Sequence, residues 1–349
     1  MAEPRSPGAP ATWHVVAAFA AVYLIWGSTY LAIRFAIETL PPFLMAGTRF
    51  ILAGTVLYAW ARMRGAKKPL RIHWRSAAVI GALLLLGGNG GVVWAEQFVP
   101  SGLTALLVAV VPIWMVLLEW VRPEGTAPTP AVCFALALGF GGVALLVGPG
   151  EIAGDGHADL LGAGVLMLTS FCWAVGSIYA RKAPLPQSPF LATAMEMLAG
   201  GALLLVVGLA TGQGQGLDFR SFSLLSGLSL LYLVIFGSLL GFTAYIWLLG
   251  VTTPARVSTY AYVNPVIAVF LGWLLGGELL SLRALLGSAV IVGSVALITA
   301  RRQKEIIGSD ADAKASTRPE ARSCGSVGLA SEGSRGSPGP TAHKTCPSK

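Results

Sequence analysis

Long apolar blocks separated by short polar connections fill the chain between residues 13 and 300. A block of about 20 residues spans the ~30 Å hydrocarbon layer of a bilayer when it forms a helix. Backbone groups in lipid must satisfy their own hydrogen bonds, so we expect helices rather than open strands. The blocks cover residues 13–33, 43–61, 76–95, 103–121, 131–148, 160–180, 190–210, 227–249, 257–276 and 284–300. The pattern therefore predicts an all-α polytopic membrane protein with ten transmembrane helices.

The composition supports this interpretation. Of the 349 residues, 55% are apolar and only 11% are charged, whereas soluble domains carry roughly a quarter charged residues. The net charge of +8 does not indicate nucleic-acid binding, because the basic residues flank apolar blocks, where they act as topology signals. The first block is longer than the apolar core of a cleavable signal peptide, so we interpret it as a retained helix.

The distribution of Lys and Arg predicts the orientation in the membrane. With a cytoplasmic N-terminus, the outer connections hold only Arg34, Arg220 and Arg283. The cytoplasmic side then holds Arg5, Arg62, Arg64, Lys67, Lys68, Arg71, Arg75, Arg122, Arg181, Lys182, Arg256, Arg301, Arg302 and Lys304. Because positive residues accumulate on the cytoplasmic side, both termini are predicted to be cytoplasmic. Residues 305–349 contain no Phe, Tyr or Trp and are predicted to form a disordered cytoplasmic tail.

The two halves of the chain repeat each other. Pro42-Phe43-Leu44 recurs as Pro189-Phe190-Leu191, an offset of 147 residues. The same offset pairs Trp26 with Trp173, Arg34 with Arg181 and Arg49 with Glu196, and an offset of 153 pairs Gly88 with Gly241, Trp94 with Trp247 and Pro112 with Pro265. Each copy holds an odd number of predicted spans, so the second copy inserts upside down. We therefore predict two inverted five-helix repeats, residues 13–148 and 160–300.

Inverted repeats with a site at their interface are the construction of secondary transporters. The repeat therefore predicts a transporter that moves a small-molecule substrate across the lipid bilayer by alternating access. A proton or an exchanged solute would supply the energy, because the chain lacks a phosphate-binding loop for nucleotide. A passive facilitator on the same scaffold is the first alternative. A membrane-embedded enzyme is a weaker one, because the spans hold too few His, Asp and Glu residues for catalytic residues or a metal site. No cofactor is expected, and the oligomeric state stays open.

Two charged residues inside the spans are candidates for function. Arg49 and Glu196 lie about seven residues, or roughly 10 Å, into their helices. Buried ionisable groups are expensive in a membrane, so we expect Arg49 to pair with an anionic group and Glu196 to bind a cation or a coupling proton. The alternative is a structural pair, or two separate anchors. Glu96 and Glu278 lie at the outer ends of their spans and are expected to be solvated.

Aromatic and polar side chains deep in the spans predict a cavity. An amide at depth such as Asn89 needs a partner or water, and the prolines Pro112 and Pro265 are predicted to kink their helices and free backbone carbonyls. An aromatic-walled cavity with a few hydroxyls suits flat or amphipathic organic molecules, including cations. Packing towards lipid is the alternative for any single aromatic. The candidate substrate-binding residues are Trp26, Tyr30, Asn89, Trp173, Ser177, Tyr245, Tyr260, Tyr262 and Asn264.

Several motifs together resemble those of a known family. They include Trp26-Gly-Ser-Thr-Tyr30, Asn89-Gly-Gly-Val-Val-Trp-Ala-Glu96, Trp173-Ala-Val-Gly-Ser177 and Ser258-Thr-Tyr-Ala-Tyr-Val-Asn-Pro265. Over residues 13–300 the chain resembles the drug/metabolite transporter superfamily, specifically its EamA-type ten-helix inner-membrane exporters. The resemblance implies efflux of small organic metabolites or drugs, amino-acid-like or amphipathic, across a bacterial plasma membrane. It also implies a central cavity lined by helices 1, 3, 4, 6, 8 and 9, where the candidate residues lie. The tail is not part of the family pattern.

Overall fold

The computed structural model describes residues 12–121, 127–147, 157–215, 217–251, 257, 260–283 and 285–297. Throughout these ranges all regular secondary structure is helical. The predicted all-α fold is therefore confirmed for the described residues. The predicted tail, residues 305–349, lies outside them.

Helices occupy the predicted apolar blocks, and their ends lie within a few residues of the predicted ones. They are α1 Thr12–Ile37, α2 Pro42–Met63, α3 Arg71–Ala95, α4 Ser101–Trp120, α5 Pro130–Val147, α6 His157–Ala180, α7 Pro189–Ala210, α8 Leu224–Leu248, α9 Tyr260–Leu275 and α10 Leu285–Leu297. In the described part of the chain, seven of them are long and apolar enough to cross a membrane, namely α1–α4 and α6–α8. Shorter apolar helices lie in α5, α9 and α10. The molecule is thus a polytopic helical membrane protein.

The surface and the interior of the helical assembly are both apolar, as a lipid environment requires. Phe50, Leu107 and Leu204 are fully buried between helices. In contrast, Leu168 and Val206 expose 61% and 62% of their surface. Large exposed apolar surfaces of this kind are rare on soluble monomers, so we assign the outward faces of α6 and α7 to lipid.

The most extensive helix–helix contact joins α2 and α7. A Cβ added at Gly47 would lie 2.7 Å from Leu205 Cγ, and one added at Gly201 would lie 3.0 Å from the Ile51 nitrogen. Small residues of this kind let helix backbones approach closely in lipid, where van der Waals packing supplies much of the attraction. We call this contact the α2–α7 seam.

The α2 and α7 helices begin and end in corresponding ways. Both have proline in the first turn, where its missing N–H costs nothing. Just beyond their C-terminal ends, Gly65 and Gly212 have φ angles of +87° and +79°. This left-handed conformation favours glycine, and the two glycines are related by the same offset as Pro42 and Pro189.

Both α3 and α8 contain a π-helical segment, Gly81–Gly90 in α3 and Leu233–Leu240 in α8. Such segments are rare and occur often at functional sites. The segment in α3 packs on α6 and α7, and the segment in α8 packs on α1 and α2. In addition, α1 packs on α8 and α9, whereas α6 packs on α3 and α4.

The two candidate kink prolines occupy different positions. In α4 the helix is interrupted at Ala109 and Val110, and Pro112 lies in the first turn of the segment that follows. Pro265 lies inside α9, five residues after its start. Proline lacks a backbone N–H group and so interrupts helical hydrogen bonding. This accounts for the break in α4, which lies just before Pro112. In α9 the helix continues through Pro265.

Candidate functional site

An aromatic cluster lies where α1, α8 and α9 meet. The Trp26 ring centroid is 5.2 Å from that of Tyr245, 5.1 Å from that of Tyr260 and 5.2 Å from that of Phe242. Tyr245 and Tyr260 are 5.9 Å apart, edge to face. These separations are typical of aromatic pairs that attract one another. The structure therefore brings three of the predicted substrate-binding residues into one group.

The π-helical segment of α8 and the residues beside it hold the Trp26 indole in place. Trp26 Nε1 donates a hydrogen bond to the Gly237 carbonyl oxygen at 3.2 Å. A Cβ at Gly241 would overlap the indole, so the contact requires glycine there. Nearby, Ser28 Oγ donates to the Ile25 carbonyl and lies 2.7 Å from the Tyr232 hydroxyl. Because the Ser28 proton is already used, Tyr232 is the donor in that bond.

A second group lies where α6 packs on the π-helical segment of α3. A Cβ at Gly88 would lie 2.7 Å from Trp173 Cε3, so Trp173 also rests on a glycine. Thr169 donates to the Gly87 carbonyl at 3.1 Å. Asn89 and Ser177 are half-buried on these same two helices.

Asn264 and Tyr30 are the remaining predicted residues whose side chains are described. Asn264 is buried, and its Oδ1 atom has no hydrogen-bond partner in the described part of the chain. A Cβ on Gly27 would lie 3.2 Å from the Asn264 carbonyl oxygen, so α1 and α9 approach closely there. Tyr30, one turn after Trp26 on α1, is half-buried. The side chain of Tyr262 lies outside the described residues.

Arg49 and Glu196 do not form an ion pair with each other among the described residues. Arg49 is 4% exposed, and its Nε atom donates to Ser238 Oγ at 2.9 Å. Its guanidinium also lies 4.8 Å from the Phe50 ring centroid and against Gly237. Glu196 is half-buried on α7, and its carbonyl oxygen faces Gly81 of α3. Of the predicted alternatives, the direct pair is therefore wrong.

Glu278 is not solvated as expected, because its carboxylate joins three separate elements. The Oε1 atom accepts hydrogen bonds from Ser101 N at 2.7 Å, from Ser101 Oγ at 2.6 Å and from Arg34 Nη1 at 3.3 Å. The Oε2 atom accepts from Gly102 N at 3.0 Å. The carboxylate thus satisfies free N–H groups at the start of α4 and pairs with the last turn of α1, which is its predicted outer end. We call this arrangement the outer clamp.

Glu96 is not solvated either. It directly follows α3, is 5% exposed, and neither carboxylate oxygen has a hydrogen-bond partner among the described residues. Burial raises the pKa of this carboxyl well above its ordinary value. The charge of Glu278 raises the pKa further, whereas the charge of Arg34 opposes that shift.

A second ion pair lies near the other end of the helices. Arg181 Nη1, just after α6, is 3.0 Å from Glu119 Oε1 in α4. Their side chains are 57% and 30% exposed, whereas the Glu278 side chain in the outer clamp is 10% exposed. Since Arg34 in the clamp is 37% exposed, both partners of the Arg181–Glu119 pair are more exposed than the corresponding partners in the clamp.

Sequence reasoning missed the outer clamp, and only weak signals pointed to it. Ser101 and Gly102 follow Pro100, as at many helix starts, and a helix start attracts an anion. Gly277, with φ +64°, allows the chain to turn after α9 immediately before Glu278. Neither signal indicates that these two places meet.

This chain is similar to known proteins in sequence and in fold. The EamA-like transporter family matches residues 12–148 and 160–300. The inner membrane transporter YedA of Escherichia coli is 40% identical over 281 residues, which cover 80% of this chain and 88% of YedA. The transporter YvbV of Bacillus subtilis is 25% identical over 282 residues, which cover 81% of this chain and 90% of YvbV.

A solved crystal structure shares the fold, with a TM-score of 0.56 at 20% identity. The match covers 82% of this chain and 97% of that one. At this level of identity the likeness concerns the arrangement of helices alone.

Proposed function

Because the chain belongs to the EamA-like transporter family, we propose that it is a secondary transporter that exports small organic metabolites or drugs by alternating access. The family and the relatives named above are transporters rather than enzymes. The proposed location is a bacterial plasma membrane, with both termini in the cytoplasm and the tail on that side. YedA is named as an inner membrane protein, which supports the location.

The proposed architecture is ten membrane crossings in two inverted five-helix repeats, residues 13–148 and 160–300. Reciprocal contacts carry this proposal. Trp26 packs on Gly241, and Trp173 packs on Gly88. The two tryptophans are 147 residues apart and the two glycines 153, which are the two repeat offsets. Each half therefore packs its tryptophan on the corresponding glycine of the other half. Two units related in this way can rock about a shared site without rebuilding it.

The two ion pairs support alternating access. Arg34 and Arg181 correspond in the repeat, and each pairs with a glutamate that belongs to the other half. One pair lies at the predicted outer end and the other at the predicted inner end. In a transport cycle of this kind, one pair holds its end closed while the opposite end opens.

The proposed substrate site lies between the two aromatic groups. Trp26, Tyr245 and Tyr260 line one side, and Trp173, Asn89 and Ser177 line the other. Ring faces and a few hydroxyl and amide groups suit an amino-acid-like or amphipathic solute. Tyr30, Tyr262 and Asn264 complete the proposed lining. In this proposal Glu196 takes the coupling proton within the membrane, unless an exchanged solute supplies the energy.

Flux measurements in proteoliposomes test the proposal. We expect purified full-length protein to move at least one member of a panel of radiolabelled amino acids and aromatic organic cations. An imposed pH or substrate gradient should drive accumulation against the solute gradient. Equilibration without accumulation under every gradient would instead establish a passive facilitator. Absence of flux across the panel and across an untargeted metabolite screen would refute the transport proposal.

A matched pair of tryptophan variants tests the site. Trp26→Ala removes one aromatic face from the proposed site, and a ring contact with a bound solute is worth ~0.5–1.5 kcal/mol, so we expect KM for the transported solute to rise by roughly two- to tenfold. Trp273→Ala is the control, because Trp273 is 49% exposed on α9 and its ring lies 6.1 Å from that of Phe270, away from the three-ring group at Trp26. Equal effects of the two substitutions would contradict the assignment of Trp26 to the substrate site.

A further inference from the structure

The buried carboxyl of Glu96 has no role in the transport site proposed above. It lies outside the membrane-length helix Arg71–Ala95 and four residues before Pro100. It is more than nine-tenths buried, yet both its oxygens lack hydrogen-bond partners in the part of the chain that the structure describes. An ionised carboxylate is not stable in such surroundings, because burial removes its hydration and no hydrogen bond compensates for the loss.

The charged and titratable groups around Glu96 come from two other elements. From α1, Arg34 and the Tyr30 hydroxyl interact with it electrostatically, and Glu278 does so from the end of α9. The α6 helix approaches the residues on either side of Glu96 through Gly162, which lies against Val99 and the Ala95 carbonyl oxygen. The described side chains therefore supply two carboxyls for one guanidinium.

The hydrogen bonds decide which of the two carboxyls carries a proton. Glu278 accepts four hydrogen bonds, three of them from N–H groups that can only donate. A proton on Glu278 would displace one of these donors. Glu96 accepts no hydrogen bond among the described groups, so a proton there displaces nothing. The closed arrangement therefore consists of ionised Glu278, ionised Arg34 and neutral Glu96.

We infer that Glu96 is a proton-binding site whose occupancy closes the outer end of the protein. When Glu96 loses its proton, two carboxylates compete for Arg34 in a buried space. That competition is relieved when the outer clamp loosens and water reaches Glu96. Loss of the clamp frees the start of α4 from α9. In the closed form the two helices are in close contact there, since a Cβ added at Gly102 would lie only 3.0 Å from Val269 Cα.

The sign of the pH effect follows from the direction of the shift. Burial raises the pKa of Glu96 in the closed form, whereas in an open, hydrated form the pKa returns towards its ordinary value. The closed form thus binds the proton more tightly. Its stability relative to the open form is largest at low pH and is lost as the pH rises through the raised pKa of the closed form. Outer closure is therefore favoured by external acid.

Cysteine accessibility measures this closure without measuring transport. Leu106 is 2% exposed and lines a cavity of about 170 Å³ between α4 and the end of α9, beside Glu278. We would introduce Leu106→Cys into the full-length protein after replacing Cys133, Cys172, Cys324 and Cys346 with serine. Right-side-out vesicles are then labelled with a membrane-impermeant maleimide between pH 5 and pH 9. Because thiol reactivity itself depends on pH, each rate is divided by that of a Glu38→Cys variant, whose position on the same predicted side is exposed.

We expect the normalised labelling rate to rise with pH, by at most about tenfold per pH unit because a single proton is linked. Glu96→Gln gives a neutral polar side chain and Glu96→Met a neutral apolar one. Both variants should give a low labelling rate at every pH. Glu96→Asp should keep the pH dependence, and Glu38→Gln is the carboxyl control that should leave it unchanged.

Three outcomes would overturn the inference. They are a rate that falls with rising pH, an unchanged pH dependence in both neutral variants, and a Glu96-dependent change caused by Na⁺ at constant pH, which would identify a metal cation as the ligand. The inference assumes the alternating-access function, yet the two fail separately. If the labelling rate depends on pH through Glu96 but the protein shows no flux, the inference stands and only the transport proposal is refuted.

Discussion

Substitution of Glu278 by glutamine tests the outer clamp most directly. The variant keeps the size and shape of the side chain, but its amide has one acceptor oxygen in place of two. The oxygen can still accept from Ser101, whereas the NH₂ group cannot accept from Gly102 N. One backbone N–H at the start of α4 loses its partner, and the ion pair with Arg34 loses its charge.

The magnitude follows from these two losses. An unsatisfied buried N–H costs ~1–3 kcal/mol, and a hydrogen bond to a charged group contributes ~1.5–3 kcal/mol, with incomplete additivity. We take ~3 kcal/mol as the loss of closure free energy, which shifts the equilibrium between closed and open outer ends by about 100-fold at 1.4 kcal/mol per factor of ten. Labelling of the Leu106→Cys reporter at pH 6 should rise accordingly, up to the rate of a fully accessible thiol.

Glu119→Gln is the matched control. The side chains of the Arg181–Glu119 pair are 57% and 30% exposed, and surface ion pairs contribute only ~0–1 kcal/mol. The pair also lies at the opposite end, so its loss should not increase labelling from outside. If Glu278→Gln labels no faster than the parent protein, the carboxylate does not hold the outer end closed and the reasoning is wrong.

Two stability predictions follow from close contacts, each with a control on another helix. Gly81→Ala places a Cβ 2.7 Å from a backbone nitrogen of α7, so it should lower the free energy of unfolding by ~1–3 kcal/mol. Gly164→Ala has open space around the new methyl group and should leave the free energy of unfolding unchanged or raise it slightly. Thermal unfolding in detergent measures both effects. Ser238→Ala removes the partner of the buried Arg49 Nε and should cost ~1.5–3 kcal/mol. Ser294→Ala removes only a bond within its own helix and should cost less than half as much; equal losses for the two serines would contradict a special role for the Arg49 contact.

The helices could be predicted from the sequence because lipid imposes a simple requirement on length and polarity. Their ends were less predictable. In α3 the helix begins at Arg71 rather than near residue 76, because Arg71, His73 and Arg75 form a polar first turn that does not belong to the apolar block. The π-helical segments were not predicted, since no local pattern distinguishes them from ordinary α-helix.

For the candidate site, the sequence indicated which side chains lie deep in the spans and which residues correspond in the repeat. Depth in the spans selected Trp26, Tyr245 and Tyr260, whose rings do meet although they lie on three different helices. Their role in substrate binding stays a prediction. The partners of charged groups were not accessible in this way. Arg49 bonds to a serine 189 positions away, and Glu278 to a serine 177 positions away. Whether a glutamate at a helix end is solvated depends on which distant element arrives beside it, and a single sequence does not contain that information.

The α2–α7 seam and the ion pairs at the two ends of the helices differ in how they respond to pH and salt. The attraction in the seam comes from glycines, aliphatic side chains and close backbones, none of which changes with acidity or ionic strength. Both ends of the assembly, in contrast, rest on ionised groups. If the proposed transport cycle operates, the salt and detergent used in purification shift the balance between its closed and open ends without changing the α2–α7 seam. Preparations with the same melting temperature are then expected to populate different states.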